Sequence, residues 1–325
     1  MTAGADVEQD RGRSGGTVVL AEPRGFCAGV RRAVGVLERA LEEHGAPVYV
    51  RKEIVHNHHV VSVLRRRGAV FVDSEEEVPE GAVCVFSAHG VSPAVRAAAA
   101  DRRLDVIDAT CPLVAKVHQE ARRYARDGRT VLLIGHADHE EVEGTYGEAP
   151  DRTIVVDSVA AAEAVQLPAG ARPAYLTQTT LAVDETTEMI GVLARRFPDL
   201  VGPGSGDICY ASQNRQDAVK AIAADTDLVL VVGSPNSSNS VRMVEVAEQT
   251  GTRARLVPDA SHLDPAWLTG VRSVGLSAGA SAPEVLVDEV LARLGELGYA
   301  DVRLTSVATE DVVFGLPSRR RQEDG

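Results

Sequence analysis

Short apolar runs alternate with amphipathic helical stretches along most of the chain. Runs such as TVVL, VLLI and LVLVV have the length of buried strands, and each precedes a polar loop and a helical pattern. Parallel strands need long crossover connections, so strands that alternate with helices predict parallel sheets with helices packed on their faces. The pattern therefore predicts an α/β fold.

The order of these elements repeats three times, at intervals of roughly 85–100 residues. Each repeat runs strand–cysteine–helix, then strand–loop–helix, a short strand, and a last strand–loop–helix. Ligands bind beyond the carboxyl ends of parallel strands, so inward-facing ends would gather nine strand-to-helix loops around one cavity. We expect three α/β lobes with mainly parallel sheets, arranged as a trefoil around that cavity. The expected divisions are a disordered leader at 1–16, lobes at 17–110, 111–205 and 206–298, and a C-terminal segment and tail at 299–325.

Composition narrows the class of protein. The net charge of −13 argues against a general nucleic-acid binder, which needs a basic surface. No apolar run approaches the roughly 18 residues of a membrane span, and the polar N-terminus lacks the apolar stretch of a secretory signal. A cytoplasmic protein without a membrane partner is expected.

Three of the four cysteines occupy the same place in the three repeats. They lie in RGFCAGV, DATCPLV and DICYASQ, where a helical pattern begins, whereas Cys84 lies inside the apolar strand AVCVF and is interpreted as a core thiol. Equivalent positions point to shared metal ligation by Cys27, Cys111 and Cys209. The absence of CxxC pairs disfavours structural zinc, but catalytic zinc on three thiolates stays open. The other candidate is an iron–sulfur cluster, in which one iron without a protein thiolate can bind a substrate oxygen.

The loops around these cysteines carry hydrogen-bonding side chains at helix starts. Backbone N–H groups and the helix dipole favour a phosphate or diphosphate there, while no P-loop or GxGxxG indicates a nucleotide. Each side chain alone would be an ordinary cap or surface residue, so the argument rests on their equivalent positions in the repeats. The set comprises His56, His89, His139, Glu141, Thr179, Thr180, Ser237, Ser238, Asn239 and Ser281.

Glu141 is the best candidate for a proton donor. A bound diphosphate would favour the protonated form of a neighbouring carboxyl group, which suits proton delivery near neutral pH. Glu140 and Glu143 are its rivals, interpreted as solvated charges that match the helix dipole.

These residues lie in motifs that resemble a known family. The motifs run in order from about residue 17 to about residue 315 and are long and unusual. They are RGFCAGVRRAV, EIVHNHHVV, FSAHGVS, DATCPLVAKVH, GHADHEEVEGT, LTQTTLAVDET, ICYASQNRQ, GSPNSSNSVR and AGASAPE. Together they closely resemble the LytB-type 4-hydroxy-3-methylbut-2-enyl diphosphate reductases, which end the methylerythritol phosphate route to isoprenoids.

The resemblance implies one oxygen-sensitive [4Fe-4S] cluster per chain, on Cys27, Cys111 and Cys209. It implies that Thr179 positions the substrate hydroxyl, that Glu141 delivers protons, and that a carrier such as ferredoxin or flavodoxin supplies two electrons. The products would be isopentenyl and dimethylallyl diphosphate. The implied diphosphate-binding residues are His56, His89, His139, Ser237, Ser238, Asn239 and Ser281. One departure is Glu140, where many members have proline, although the His-x-Glu spacing still selects Glu141.

Two other classes of function stay open from the residues. A hydro-lyase would use the open iron only as a Lewis acid and would need no external electrons. A non-catalytic iron–sulfur sensor would leave the polar loops without a role and would usually carry a basic DNA-binding element, which the sequence does not show.

Overall fold

The structure is a computed structural model that describes residues 15–317. The predicted leader and tail lie outside the described residues, apart from residues 15 and 16 and the segment up to residue 317. The strands are β1 (Thr17–Glu22), β2 (Val48–Arg51), β3 (Ala69–Val72), β4 (Val83–Phe86), β5 (Asp105–Asp108), β6 (Thr130–Ile134), β7 (Thr153–Val156), β8 (Pro173–Thr177), β9 (Leu228–Val232), β10 (Arg253–Val257), β11 (Ser273–Ala278) and β12 (Asp301–Ser306). The α-helices are α1 (Ala28–His44), α2 (His58–Arg66), α3 (Pro93–Asp101), α4 (Pro112–Arg126), α5 (Glu140–Tyr146), α6 (Val159–Ala164), α7 (Val183–Arg196), α8 (Tyr210–Ala223), α9 (Ser238–Gln249) and α10 (Glu284–Glu296).

Three separate parallel sheets form the framework, which confirms the predicted fold class. Their strand orders are β3-β2-β4-β5, β7-β6-β8 and β10-β9-β11-β1-β12, called here the first, second and third sheets. Every strand pairing is parallel. All strand-to-helix loops of one sheet therefore emerge at the same edge.

Each sheet is covered on both faces by helices, with one apolar cluster per face. In the second sheet, Leu133 on β6 packs with Val117 on α4, whereas its neighbour Leu132 packs on the other face with Leu193 on α7. This alternation follows from the two-residue period of a strand. Cys84 is fully buried in a cluster of the first sheet, as predicted for a core thiol. Within residues 15–317, no helix combines the length and apolar character needed to cross a membrane.

The prediction of a strand directly before Cys209 is wrong. No strand lies between Val201 and α8, where the sequence reads VGPGSGDIC, and only an isolated bridge joins Val201 to Ala174 on β8. The physical reason is local, because glycine favours irregular backbone and proline lacks the N–H that a ladder requires.

The sheets also divide the chain differently from the repeats. β1 opens the first predicted lobe, but it lies in the third sheet between β11 and β12, with Thr17 opposite Ser273 and Asp301. The strand or bridge before each cysteine thus belongs to one sheet, while the helix after that cysteine packs on a different sheet. The expected lobe boundaries stay a prediction.

The three cysteines consequently lie at crossovers between sheets. Cys27 follows β1 of the third sheet, and its helix α1 packs on the first sheet. Cys111 follows β5 of the first sheet, and α4 packs on the second. Cys209 follows the bridge at the edge of the second sheet, and α8 packs on the third. The chain thus passes from the third sheet to the first, from the first to the second and from the second to the third, with one cysteine at each crossover.

Candidate active site

The three cysteines are the N-cap residues of α1, α4 and α8. The Cys27 Sγ accepts a hydrogen bond from the Val30 N–H at 3.4 Å, and the Cys209 Sγ accepts one from the Ser212 N–H at 3.2 Å. Helix N-termini stabilise negative charge, so each position favours a thiolate ligand once a cation is present.

The thiols approach one another because Gly29 has no side chain. A Cβ atom on Gly29 would lie 2.7 Å from the Cys111 Sγ and 3.8 Å from the Cys27 Sγ.

Burial favours the protonated form of the Cys111 and Cys209 thiols by raising their pKa values. Burial, together with the neighbouring Cys27 and Cys209, raises the pKa of Cys111 to about 12. Burial and Cys27 raise the pKa of Cys209 to about 11. A cationic iron centre would remove that penalty, so the donor set fits an iron–sulfur group.

Glu141 is buried and bonded twice to Thr179. The Thr179 N–H donates to Oε1 at 2.6 Å and the Thr179 hydroxyl donates to Oε2 at 2.9 Å, with Glu141 only 2% exposed. Burial raises the pKa of Glu141 to about 7, assisted by the negative charge of Asp207, while both hydrogen bonds from Thr179 oppose the rise. Glu141 is also close enough to Cys209 to raise the pKa of that thiol. A carboxyl group with this pKa can hold and release a proton near neutral pH.

Three histidines from three loops form a compact cluster. The His56 and His89 rings stack with centroids 4.0 Å apart, and His139 meets both edge-on at 5.5 and 5.9 Å. Burial is the main cause that lowers the pKa of His89 and lowers that of His139 to about 3. These two rings are therefore neutral at neutral pH. The His139 Nδ1 accepts a hydrogen bond from the Glu141 N–H, so the single N–H of that ring is on Nε2 and is free to donate to a ligand.

Glu140 does not behave as the solvated charge predicted from the sequence. Its side chain is 18% exposed and its Oε2 lies 3.0 Å from the His89 Nδ1. His56, His89 and Glu140 each offer a ligand atom within 4.8 Å of the others. However, the two imidazoles are stacked at 14°, so their in-plane lone pairs do not converge on one ion.

Hydroxyl and amide side chains join the loops of the second and third sheets to this cluster. The Ser281 hydroxyl donates to the His56 carbonyl at 2.8 Å and lies 3.4 Å from the Ser237 Oγ. The Thr180 hydroxyl donates to the Ser238 Oγ at 3.0 Å, linking the second sheet to the third.

Asn239 connects the same pocket to the cysteines. Its Oδ1 accepts from the Ala280 N–H at 2.8 Å, and its Nδ2 donates to the Ser212 Oγ at 3.4 Å. The Ser212 hydroxyl in turn lies 3.1 Å from the Cys209 Sγ. The three cysteines and the ten polar side chains singled out in the sequence thus lie in one connected region.

Sequence reasoning missed Ser212 and Asp207. Asp207 accepts the Thr177 N–H at 3.1 Å and lies 3.3 Å from the Lys116 Nζ, and burial raises its pKa to about 6. The position of Asp207 two residues before Cys209 could have marked it as a site residue. Its effect on the pKa of Glu141 could not be predicted, because the two residues are far apart in sequence.

Comparisons with known proteins agree with these features. Residues 18–295 match the family model described as LytB protein. The 4-hydroxy-3-methylbut-2-enyl diphosphate reductase of Nocardia farcinica is 62% identical over 94% of this chain and 91% of its own, and that of Rhodococcus jostii is 58% identical over 99% and 96%. The solved E-1-hydroxy-2-methyl-but-2-enyl-4-diphosphate reductase from Plasmodium falciparum is 37% identical, with a TM-score of 0.91 over 93% of this chain and 96% of that one. A solved (E)-4-hydroxy-3-methyl-but-2-enyl diphosphate reductase is 33% identical, with a TM-score of 0.60 over 86% and 99%.

A side chain at Gly29 should prevent the thiols from sharing an inorganic group. In Gly29→Ala the new methyl would displace the Cys111 Sγ, so we expect little iron and sulfide after anaerobic reconstitution, with the apo-protein still folded. Gly35→Ala on the same helix is the control, since its Cβ would meet only the Leu316 Cδ2 at an ordinary 3.5 Å. Wild-type iron content in Gly29→Ala would show that the thiols do not meet there.

Proposed function

The chain belongs to the LytB protein family, and from that premise we propose that it is a 4-hydroxy-3-methylbut-2-enyl diphosphate reductase. It takes two electrons and two protons, breaks the allylic C–O bond, releases water, and yields isopentenyl or dimethylallyl diphosphate. The observation that carries the proposal is the grouping of three N-cap cysteines with buried Glu141 and the cluster of His56, His89 and His139.

Cys27, Cys111 and Cys209 would hold one [4Fe-4S] cluster per chain. Such a cluster supplies single electrons and a Lewis-acidic iron that carries no protein thiolate. The chain's own contribution is to present three sulfurs at helix N-termini, close to the polar loops.

The diphosphate is held by hydroxyl, amide and imidazole groups rather than by an arginine clamp. The proposed binding residues are His56, His89, His139, Ser237, Ser238, Asn239 and Ser281. Ser237 caps α9, so the positive end of that helix dipole adds to the hydroxyl and imidazole donors. An arriving diphosphate would raise the pKa of His89 and His139, and protons gained there would offset part of its charge.

Glu141 is the proton donor, and Thr179 orients the Glu141 carboxyl group. The two Thr179 hydrogen bonds fix the carboxyl plane, and burial keeps the group protonated part of the time at neutral pH. Thr179 also positions the substrate hydroxyl, which brings the leaving oxygen and the proton donor together.

The proposal includes a small allylic diphosphate as substrate and reduced ferredoxin or flavodoxin as electron donor. It places the enzyme in the cytoplasm, with no nucleic-acid or membrane partner. The family and the pocket favour this reductase over a hydro-lyase or a sensor, since both alternatives leave the two-electron chemistry of the family unused.

Iron content and reductant dependence test the proposal directly. Anaerobically reconstituted protein should convert hydroxymethylbutenyl diphosphate only when a reduced carrier is present. Cys111→Ser should lose iron, whereas Cys84→Ser, a change of the buried core thiol, should keep it. Turnover without a reductant would favour a hydro-lyase, and iron lost only from Cys84→Ser would overturn the ligand assignment.

Replacing Glu141 should separate proton delivery from binding. Glu141→Gln keeps the shape of the side chain, so we expect retained iron and diphosphate affinity with turnover lowered about a hundredfold or more. Glu143→Gln is the control, because Glu143 lies on the same helix but is exposed. Unchanged turnover in Glu141→Gln would reject this proton route.

The pH dependence of turnover should report the Thr179–Glu141 pair. A proton donor works while protonated, so activity falls as pH rises through its pKa of about 7. Thr179→Val removes a hydrogen bond that lowers this pKa, and the basic limb should move to higher pH. Thr180→Val loses a hydroxyl bonded to Ser238 instead, and its limb should not move. A limb that stays fixed in Thr179→Val would contradict the assignment.

A further inference from the structure

The chain after β12 is an irregular segment that contacts α1 and α8, the helices capped by Cys27 and Cys209. Residues 307–317, called here the C-terminal strap, begin with the Val307 N–H donating to the Glu22 carbonyl at 3.0 Å. Within the described residues the strap contains no helix or strand. Its position therefore depends on side-chain contacts with α1 and α8.

Arg215 on α8 links the backbone beside two of the three cysteines. Its guanidinium donates to the Gly25 carbonyl at 2.6 and 3.0 Å and to the Ala211 carbonyl at 2.8 Å. Gly25 lies two residues before Cys27, and Ala211 lies two residues after Cys209. The Arg215 side chain is 1% exposed, so its charge needs a partner inside the protein.

The strap supplies that partner through Glu310. Its Oε1 and Oε2 lie 2.9 and 3.3 Å from Nη1 and Nη2 of Arg215. The Asn214 amide also donates to Glu310 at 3.1 Å. Two parallel N–H···O bonds fix direction as well as distance, so this pair orients Arg215 toward both carbonyls.

Arg32 on α1 makes the corresponding link to the third cysteine. Its Nη1 donates to the carbonyl of Thr110, the residue before Cys111, and its Nε donates to the Gly315 carbonyl of the strap, both at 3.0 Å. The Leu316 side chain lies over Gly35 on the same helix. The strap is thus tied to the surroundings of all three cysteines.

We propose that the C-terminal strap is a positioning element that keeps the three cysteines in register and so determines how firmly the chain retains its cluster. The helices that carry the cysteines pack on three different sheets, and no single sheet fixes the triangle of sulfur atoms. Glu310, Arg215 and Arg32 act through backbone carbonyls and do not touch substrate. The inference rests on the proposed function, because it requires a cluster.

The first test compares two neighbouring acidic residues of the strap. In Glu310→Gln the bidentate ion pair is lost while a hydrogen bond can remain, whereas Asp311→Asn removes the same charge from an exposed neighbour. Reconstituted proteins are exposed anaerobically to an excess of ferrous chelator, and the decay of the visible cluster absorbance is followed. We expect about tenfold faster loss in Glu310→Gln and the wild-type rate in Asp311→Asn.

The second test compares two neighbouring arginines of α1. Arg32→Met removes both links to carbonyls, Arg32→Lys can restore one of them, and Arg31→Met changes an exposed neighbour. Cluster loss should be fastest in Arg32→Met, intermediate in Arg32→Lys and unchanged in Arg31→Met. Urea midpoints of the apo-proteins separate positioning from general stability.

The possible outcomes distinguish a failure of the strap proposal from a failure of the proposed cluster. Equal rates in Glu310→Gln and Asp311→Asn would overturn the strap proposal alone, as would faster loss that merely follows a lower urea midpoint. If the wild-type protein binds no iron and sulfide, the proposed cluster is wrong, and the proposed role of the strap is wrong with it. Faster cluster loss at an unchanged urea midpoint is the result we expect.

Discussion

The structure depends on one constraint, namely that each cysteine lies where the chain leaves one sheet and begins a helix that packs on the next. Cys27, Cys111 and Cys209 therefore meet only when all three sheets hold their relative positions. Gly29 permits the close approach of the sulfurs. The proposed metal centre is thus also a tertiary crosslink among three units, and its binding energy is coupled to their arrangement.

The packing of the three sheets also buries the ionisable groups of the pocket and so shifts their pKa values. Burial raises the pKa of Glu141 and lowers those of His89 and His139, so it disfavours the charged form of all three groups. Under the proposed function, a diphosphate beside His89 and His139 would favour their protonated forms. The Glu140 carboxylate beside His89 favours the same protonation of that ring and opposes the effect of burial.

Local sequence patterns predicted most elements and the grouping of the polar loops. Strand ends in parallel sheets share an edge, so residues such as His56 and His89 could be placed together from their position in the repeats. The transfer of β1 to the third sheet could not be predicted, because strand pairing between residues far apart has no local signal. Arg215 and Glu310 are likewise 95 residues apart, and neither stands out in composition. The absence of a strand before Cys209 does have a local signal, because the glycines and proline of GPGSG disfavour a strand.

The most direct test of the account is Mössbauer spectroscopy of protein reconstituted anaerobically with isotopically enriched iron. Three cysteine-ligated irons and one iron without a protein thiolate should give two kinds of signal in a three-to-one ratio. The minor signal alone should change when the allylic diphosphate is added. Four equivalent irons, or a spectrum that the diphosphate leaves unaltered, would contradict the claim that three crossovers hold a centre open to substrate.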